Sequence, residues 1–287
     1  MPRESYTLQL PLTRSTSVIF ASPHSGSDYS EEFLRRAHLD RLQIRTSEDA
    51  FVDRLFATAT GHGAPLLSAQ VPRAYVDLNR GPDELDPALI DGLDRKAANP
   101  RVASGLGVIP RVVANGRHIY HGKISLQEAR QRVSRHWRPY HDQIQMLVDQ
   151  SVTRFGESIL IDCHSMPHEA LENIGAVNGQ RPDVVLGDRF GASAGREVVE
   201  RIEAAFAAAG FRVSRNMPFA GAYVAQTYGR PAHGRHAVQI EIDRSLYMDE
   251  ARIEERPDFE EFRRALDGVI ADIAAIGRPA STQLAAE

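Results

Sequence analysis

Cysteine is nearly absent: Cys163 is the only one in 287 residues. A lone cysteine excludes an internal disulfide and any structural zinc site built from several thiolates, so a metal in this chain would have to be held by histidine and carboxylate. Long apolar runs are also missing. No stretch approaches the ~18 residues of a membrane span, and the chain does not open on a charged-then-apolar leader with a small-residue cleavage site, so no membrane partner and a cytoplasmic location are expected. Nor is there an excess of one charge. With 34 Lys and Arg against 38 Asp and Glu, the net charge is −4. That balance gives no general attraction to nucleic acid or anionic lipid, and it points to small-molecule partners. The oligomeric state leaves no trace in the sequence.

What is present is an alternation of short β-branched runs with longer segments of helical period, which predicts an α/β domain around a mixed, largely parallel sheet. The main strands are expected at 17–21, 74–78, 158–162 and 237–242, and the main helices at 47–60, 125–155, 191–209 and 259–276. The second helix opens on "SLQE", where Ser125 and Glu128 have capping-box spacing. Residues 81–119 are rich in Pro, Gly and Asp and read as a long excursion from the sheet, of the kind that covers sites. With no repeat and no linker, residues 1–287 are expected to form one domain with that elaborated loop region.

Two of the apolar runs stop at histidine. "SVIFASPHSG" ends around His24 and "SILIDCHSMP" around His164. In a mostly parallel sheet the carboxyl ends of the strands share one edge, where ligands of open α/β folds bind, so two distant histidines can meet there. A catalytic zinc takes about three nitrogen and oxygen ligands and keeps one position open. "TSEDAFVDRLF" offers Glu48 or Asp49 as the third, although an acidic first helical turn is also a common structural feature. In "HAVQIEIDRSLYM", strand alternation puts Ile240 and Ile242 on one face and Gln239, Glu241 and Asp243 on the other. A carboxylate buried there must pair with a cation or serve as a general base. "RAYVDLNRGP" supplies Asn79 and Arg80, an amide beside a planar guanidinium fork suited to a carboxylate. Asp162 shares the His164 face and can orient it, whereas Cys163 points the other way as a small buried hydrophobe. Arg73, Arg111, Arg117 and Arg230 are candidates to stabilise an oxyanion, and sequence alone does not choose among them. A Cys163 or Ser25 nucleophile and a non-catalytic binder of acidic small molecules are the competing readings.

Taken in order, "ASPHSG", "SEDAFVDRLF", "YVDLNRGP", "IDCHSMP" and "AVQIEIDRSLYM" resemble the N-formylglutamate amidohydrolase (deformylase) family across nearly the whole chain. The resemblance implies a three-layer α/β/α fold like that of the zinc carboxypeptidases and aspartoacylases. It implies a zinc ion, or another divalent metal, on His24, Asp49 and His164, with Glu241 as the catalytic carboxylate and Asn79 and Arg80 holding a substrate carboxylate. Carboxypeptidase-like sites place a Glu three residues after the first His, where this chain has Ser27, so the second ligand must come from elsewhere. The implied reaction is hydrolysis of N-formyl-L-glutamate to glutamate and formate, as in histidine degradation, or deacylation of another N-acyl amino acid, with Phe219 to Gly229 expected to line the pocket.

Overall fold

The computed structural model describes residues 4–93, 100–172 and 181–279. A seven-stranded sheet carries the fold: β1 (Tyr6–Gln9), β2 (Val18–Ser22), β3 (Leu66–Ala69), β4 (Ser158–Met166), β5 (Val184–Gly187), β6 (Val213–Arg215) and β7 (Arg235–Asp243). Their order across the sheet is β1-β3-β2-β4-β7-β5-β6. The four central strands β3, β2, β4 and β7 run parallel, β1 is antiparallel at one edge, and β5 with β6 runs antiparallel to β7 at the other.

Alternation along the central strands sends side chains into two separate apolar layers. Ile19, Leu67, Leu160 and Ala237 face the helical stretch made of α1 (Leu126–Arg132) and α2 (Arg138–Phe155). Val18, Phe20, Ile161, Cys163 and Ile240 face α3 (Arg196–Ala208) and α5 (Phe259–Ile276). Both faces are therefore covered, as a parallel sheet requires. The architecture is a three-layer α/β/α sandwich on a mixed sheet.

The β-branched runs at 17–21, 158–162 and 237–242 fall in β2, β4 and β7, and the helix at 259–276 matches α5. The segment 74–78 is not a strand. Its apolar side chains are buried, but its backbone runs through turns, with Tyr75 N donating to Pro72 O and Asp77 N to Val108 O instead of to a ladder. The strand that joins the sheet nearby is β3, a short "LLSA" without the β-branched signature. The helix expected at 47–60 is broken: Phe51 takes a left-handed φ of 67° and only Val52–Leu55 is α-helical, flanked by 3-10 turns. Positive φ in a bulky residue is a genuine outlier and marks the place where the chain turns to bring Asp49 inward. The 125–155 helix is continuous but contains a π turn at Val133–Trp137, and its Ser125 cap is one-sided. Ser125 Oγ accepts from Glu128 N, while the Glu128 carboxylate turns away to Arg36 and Arg132. The 191–209 helix begins only at Arg196.

Candidate active site

On the face covered by α2, the sheet turns from apolar to polar toward the carboxyl ends of β4 and β7, and these polar side chains are buried. Asp162 and His164 on β4 and Gln239 and Glu241 on β7 all emerge there, with His164 in register opposite Glu241. His24 lies just beyond β2, as expected. His164 does not terminate its strand, because the β4–β7 ladder continues to Met166. Asp49 comes from the broken helical segment, tied to the His24 loop by Asp49 N donating to His24 O at 3.0 Å.

His24, Asp49 and His164 are all buried, and one ligand atom of each lies within 4.8 Å of the others. His164 Nδ1 is 2.9 Å and His24 Nδ1 3.5 Å from Asp49 Oδ2. Each imidazole has its other nitrogen on a carboxylate: His24 Nε2 is 2.7 Å from Asp77 Oδ1, and His164 Nε2 is 3.0 Å from Asp162 Oδ1. For His24, whose Nε2 hydrogen-bonds Asp77, that is the arrangement in which metal-ligating histidines are held, the outer carboxylate fixing the tautomer and leaving the inner nitrogen to the metal; His164 is paired with Asp162 by charge at similar distance. His24 Nδ1 is buried with no hydrogen-bond partner among the described residues, which is costly unless a further group occupies the point between it and Asp49. The donor set of two imidazole nitrogens and one carboxylate oxygen suits a divalent transition metal. Glu48, the alternative to Asp49, points elsewhere, receiving Arg45 Nε and Nη2 at 3.0 Å and Tyr29 Oη at 3.2 Å.

Electrostatics reinforce the geometry. Burial by itself would raise the Asp49 pKa, but the hydrogen bond from His164 and the positive charge of the two neighbouring imidazoles outweigh it and hold the carboxyl well below its usual range. Burial would depress His164, yet Asp162 and Asp49 together push it well above the usual histidine value. Carboxylates thus converge on the imidazoles in excess, a surplus that a cation compensates. Burial pushes Glu241 up to about 7, with His164 opposing and Asp49 adding to the rise.

A cavity of about 500 Å³ opens over these residues. Arg80 lines it with its guanidinium fixed by Nε donating to Leu106 O and Nη1 to Asn79 O, which leaves Nη2 without a hydrogen bond among the described residues. Burial, the largest cause, lowers its pKa, in keeping with a cation that has no carboxylate bonded to it. Asn79 also lines the cavity, but its side chain is engaged with protein groups: Nδ2 lies 2.9 Å from both Asp162 Oδ2 and His164 Nε2, and Oδ1 accepts from Val224 N. Of the four arginines considered for an oxyanion, only Arg73 lines the cavity, held by Nε on Asp77 Oδ2 at 3.0 Å. Arg111 bonds Asp86, Arg117 reaches Thr46 at 3.5 Å, and Arg230 turns back onto Gln226 O and Gly229 O. Phe219 to Ala222 form one wall, whereas the rest of the stretch to Gly229 folds into α4 (Tyr223–Tyr228) and does not line the cavity.

Three residues of the site were not singled out from sequence. Asp77 holds His24, Arg244 Nη2 donates to Asp49 Oδ1 at 2.9 Å, and Gln239 Nε2 donates to Glu241 Oε1 at 2.7 Å. Their sequence signal was position alone, since Asp77 precedes the Asn-Arg pair by two residues and Gln239 shares the Glu241 strand face.

Comparison with known proteins agrees with this picture. The family model described as N-formylglutamate amidohydrolase matches residues 16–248. An N-formylglutamate deformylase from Pseudomonas aeruginosa is 30% identical over 257 residues, covering 87% of this chain and 89% of that protein. One from Pseudomonas putida is 29% identical over 240 residues, covering 81% and 82%. The crystal structure of an N-formylglutamate amidohydrolase from Ralstonia eutropha JMP134 superposes with a TM-score of 0.88 at 34% identity, covering 95% of this chain and 98% of that one. The gene product Atu2144 from Agrobacterium tumefaciens shares the fold at a TM-score of 0.64 and 14% identity, covering 96% of each chain. With the family model spanning most of the chain and a solved relative superposing over nearly all of it, this chain belongs to the N-formylglutamate amidohydrolase family.

Proposed function

We propose that the protein hydrolyses the amide bond of an N-acyl amino acid, N-formyl-L-glutamate being the expected substrate, with a divalent cation on His24, Asp49 and His164. The observation that carries this reading is the convergence of His24 Nδ1, His164 Nδ1 and Asp49 Oδ2 beside the buried Glu241, in one cavity with Arg80. The family relatives carry the substrate. Zinc is the preferred ion for two imidazoles and a carboxylate, and when bound it supplies Lewis acidity and lowers the pKa of water at its open position.

The residues of this chain do the rest. Glu241 takes a proton from the attacking water, whose oxygen bonds to the formyl carbon, and passes that proton to the departing nitrogen as the C–N bond breaks; formate and the free amino acid result. A pKa near 7 leaves Glu241 basic enough for the first transfer and acidic enough for the second. Arg73, fixed by Asp77, is the donor best placed for the tetrahedral oxyanion. Arg80 receives the substrate α-carboxylate, while Asn79, proposed from its motif as a carboxylate contact, acts in this geometry by holding Asp162 in place beside His164. Cys163 offers no competing nucleophile: it is fully buried on the opposite sheet face, and burial pushes its thiol pKa well up.

The test compares N-formyl-L-glutamate with its α-amide. Metal-loaded wild type should prefer the acid by about 10²-fold in kcat/KM, because leaving a buried guanidinium unpaired costs up to ~3 kcal/mol. Arg80→Ala should erase the preference. Equal rates for acid and amide in the wild type would refute the Arg80 role, and no hydrolysis of any N-acyl amino acid would refute the amidohydrolase reading.

A further inference from the structure

We propose that Gln239 is a positioning residue that fixes which oxygen of Glu241 does the proton transfer and ties the base to the cavity wall; this rests on Glu241 being the base. Gln239 and Glu241 sit two apart on β7, so both project from the same face, and both are buried. The orientation of the Gln239 amide is decided by a backbone group. Ala222 N–H can only donate, and it donates to Gln239 Oε1 at 3.0 Å, so Nε2 is the end turned to Glu241. From there it donates to Glu241 Oε1 at 2.7 Å. That bond occupies one acceptor site of Glu241 Oε1 and lowers its basicity relative to Oε2, which makes Oε2 the favoured oxygen for the proton.

The relay depends on the close approach of two backbones. Gly187 on β5 pairs in register with Gln239, and a Cβ built there would lie 2.6 Å from Gly221 N and 2.7 Å from Ala220 C. Only glycine lets the 219–222 wall lie flat against the sheet, and Arg189 N donating to Ala220 O at 2.7 Å pins it there. The same wall lines the substrate cavity. Substrate seated against Ala220–Ala222 thus bears on the segment whose Ala222 N–H sets Gln239, and through it Glu241.

A double-mutant cycle tests the assignment on metal-loaded, folded protein. Gln239→Met keeps the volume and removes the donor, and it should lower kcat about 10- to 100-fold with KM within a factor of about two, metal content unchanged. In a Glu241→Gln background the same change should alter the residual rate by less than about two-fold, because Gln239 acts only through Glu241. A merely structural residue would cost as much in both backgrounds, so full additivity overturns the proposal, as does wild-type kcat in Gln239→Met. If Glu241→Gln alone retains wild-type kcat, the base assignment falls and this proposal falls with it; a large effect of Glu241→Gln together with additivity overturns Gln239 only.

Discussion

At the scale of single residues, the site is a set of carboxylates with different tasks imposed by their surroundings. Asp77 and Asp162 face imidazole nitrogens, Asp49 faces two imidazoles and Arg244, and Glu241 faces an amide and the cavity. Despite burial, Asp49 and Asp77 are held well below the usual carboxylate range by their cationic neighbours, whereas burial raises Glu241 to about 7 because too little positive charge offsets it there. A base acts as its anion, so kcat/KM should rise with pH along an acid limb whose midpoint lies at or below about 7, a bound cation drawing it down. Glu241→Gln should keep metal and fold, lose roughly 10²–10⁴-fold in kcat, and lose that limb; a pH profile of the residual rate that still shows it would assign the limb to another group. The ligand set is checked separately. His24→Ala and His164→Ala should each abolish stoichiometric metal, read by elemental analysis after dialysis, and Asp49→Ala should do so where Glu48→Ala does not. Retention of a full equivalent of metal in a folded His24→Ala, His164→Ala protein would remove these residues from the assignment.

At the scale of elements, the irregular segment that follows β3 is the unusual part. It carries Asp77, Asn79 and Arg80 but has no strand partner, and its carbonyls are satisfied by helix side chains: His141 Nε2 donates to Leu78 O at 2.8 Å and Trp137 Nε1 to Arg80 O at 2.8 Å. The π turn at Val133–Trp137 immediately precedes α2, which carries His141, and the Trp137 and His141 rings stack at 3.9 Å. Burial holds His141 neutral, with its pKa lowered to about 4 although the Leu78 carbonyl opposes the drop. The unfolded chain binds that proton from about pH 6.5 downward and the folded protein only near pH 4, so stability rises with pH across this window and is lost on acidification through it. Urea unfolding from pH 4 to 7 should show a shallower slope in His141→Phe than in wild type, along with a loss of ~1–3 kcal/mol at pH 7 from the unpaired Leu78 carbonyl. An unchanged slope would mean that His141 does not couple folding to pH. This segment also marks how far the sequence was legible. β2, β4 and β7 were readable because β-branched runs report their own burial, and His24, His164, Glu241 and the Asn-Arg pair because each sits in a short local motif. The 74–78 run looked like a strand for the same reason, since its side chains are buried, but burial does not say whether the backbone pairs with a neighbour or with His141. Likewise the helical period of 47–60 could not show the break at Phe51, and the links from Asp77, Arg244 and Gln239 to the site join residues that only the folded chain brings together.

At the scale of the whole molecule, the proposed ligands come from three separated parts of the chain: the loop after β2, the turn before Phe51, and the interior of β4. A cation bound to all three joins the sheet to the broken helical segment, and because the unfolded chain cannot present these atoms together, binding free energy adds to folding free energy. The metal-free protein must also keep Asp49, Asp77, Asp162 and Glu241 buried around two imidazoles, at a cost in desolvation offset by those imidazoles, by Arg73 and Arg244, and by the Asn79 and Gln239 amides. Both effects have the same sign. At free metal about 100 times Kd, linkage contributes ~2.7 kcal/mol, which for a chain of this size is a rise in Tm of roughly 4–5 °C. Chelation should therefore lower Tm by about that amount, and added zinc should restore it. The ligand variants separate a specific site from general stabilisation by zinc: in His24→Ala or His164→Ala the chelator should no longer change Tm, whereas in Arg80→Ala, whose guanidinium touches none of the proposed ligands, the full shift should persist. A chelator-sensitive Tm in the histidine variants equal to that of wild type would place the stabilising metal elsewhere in the molecule.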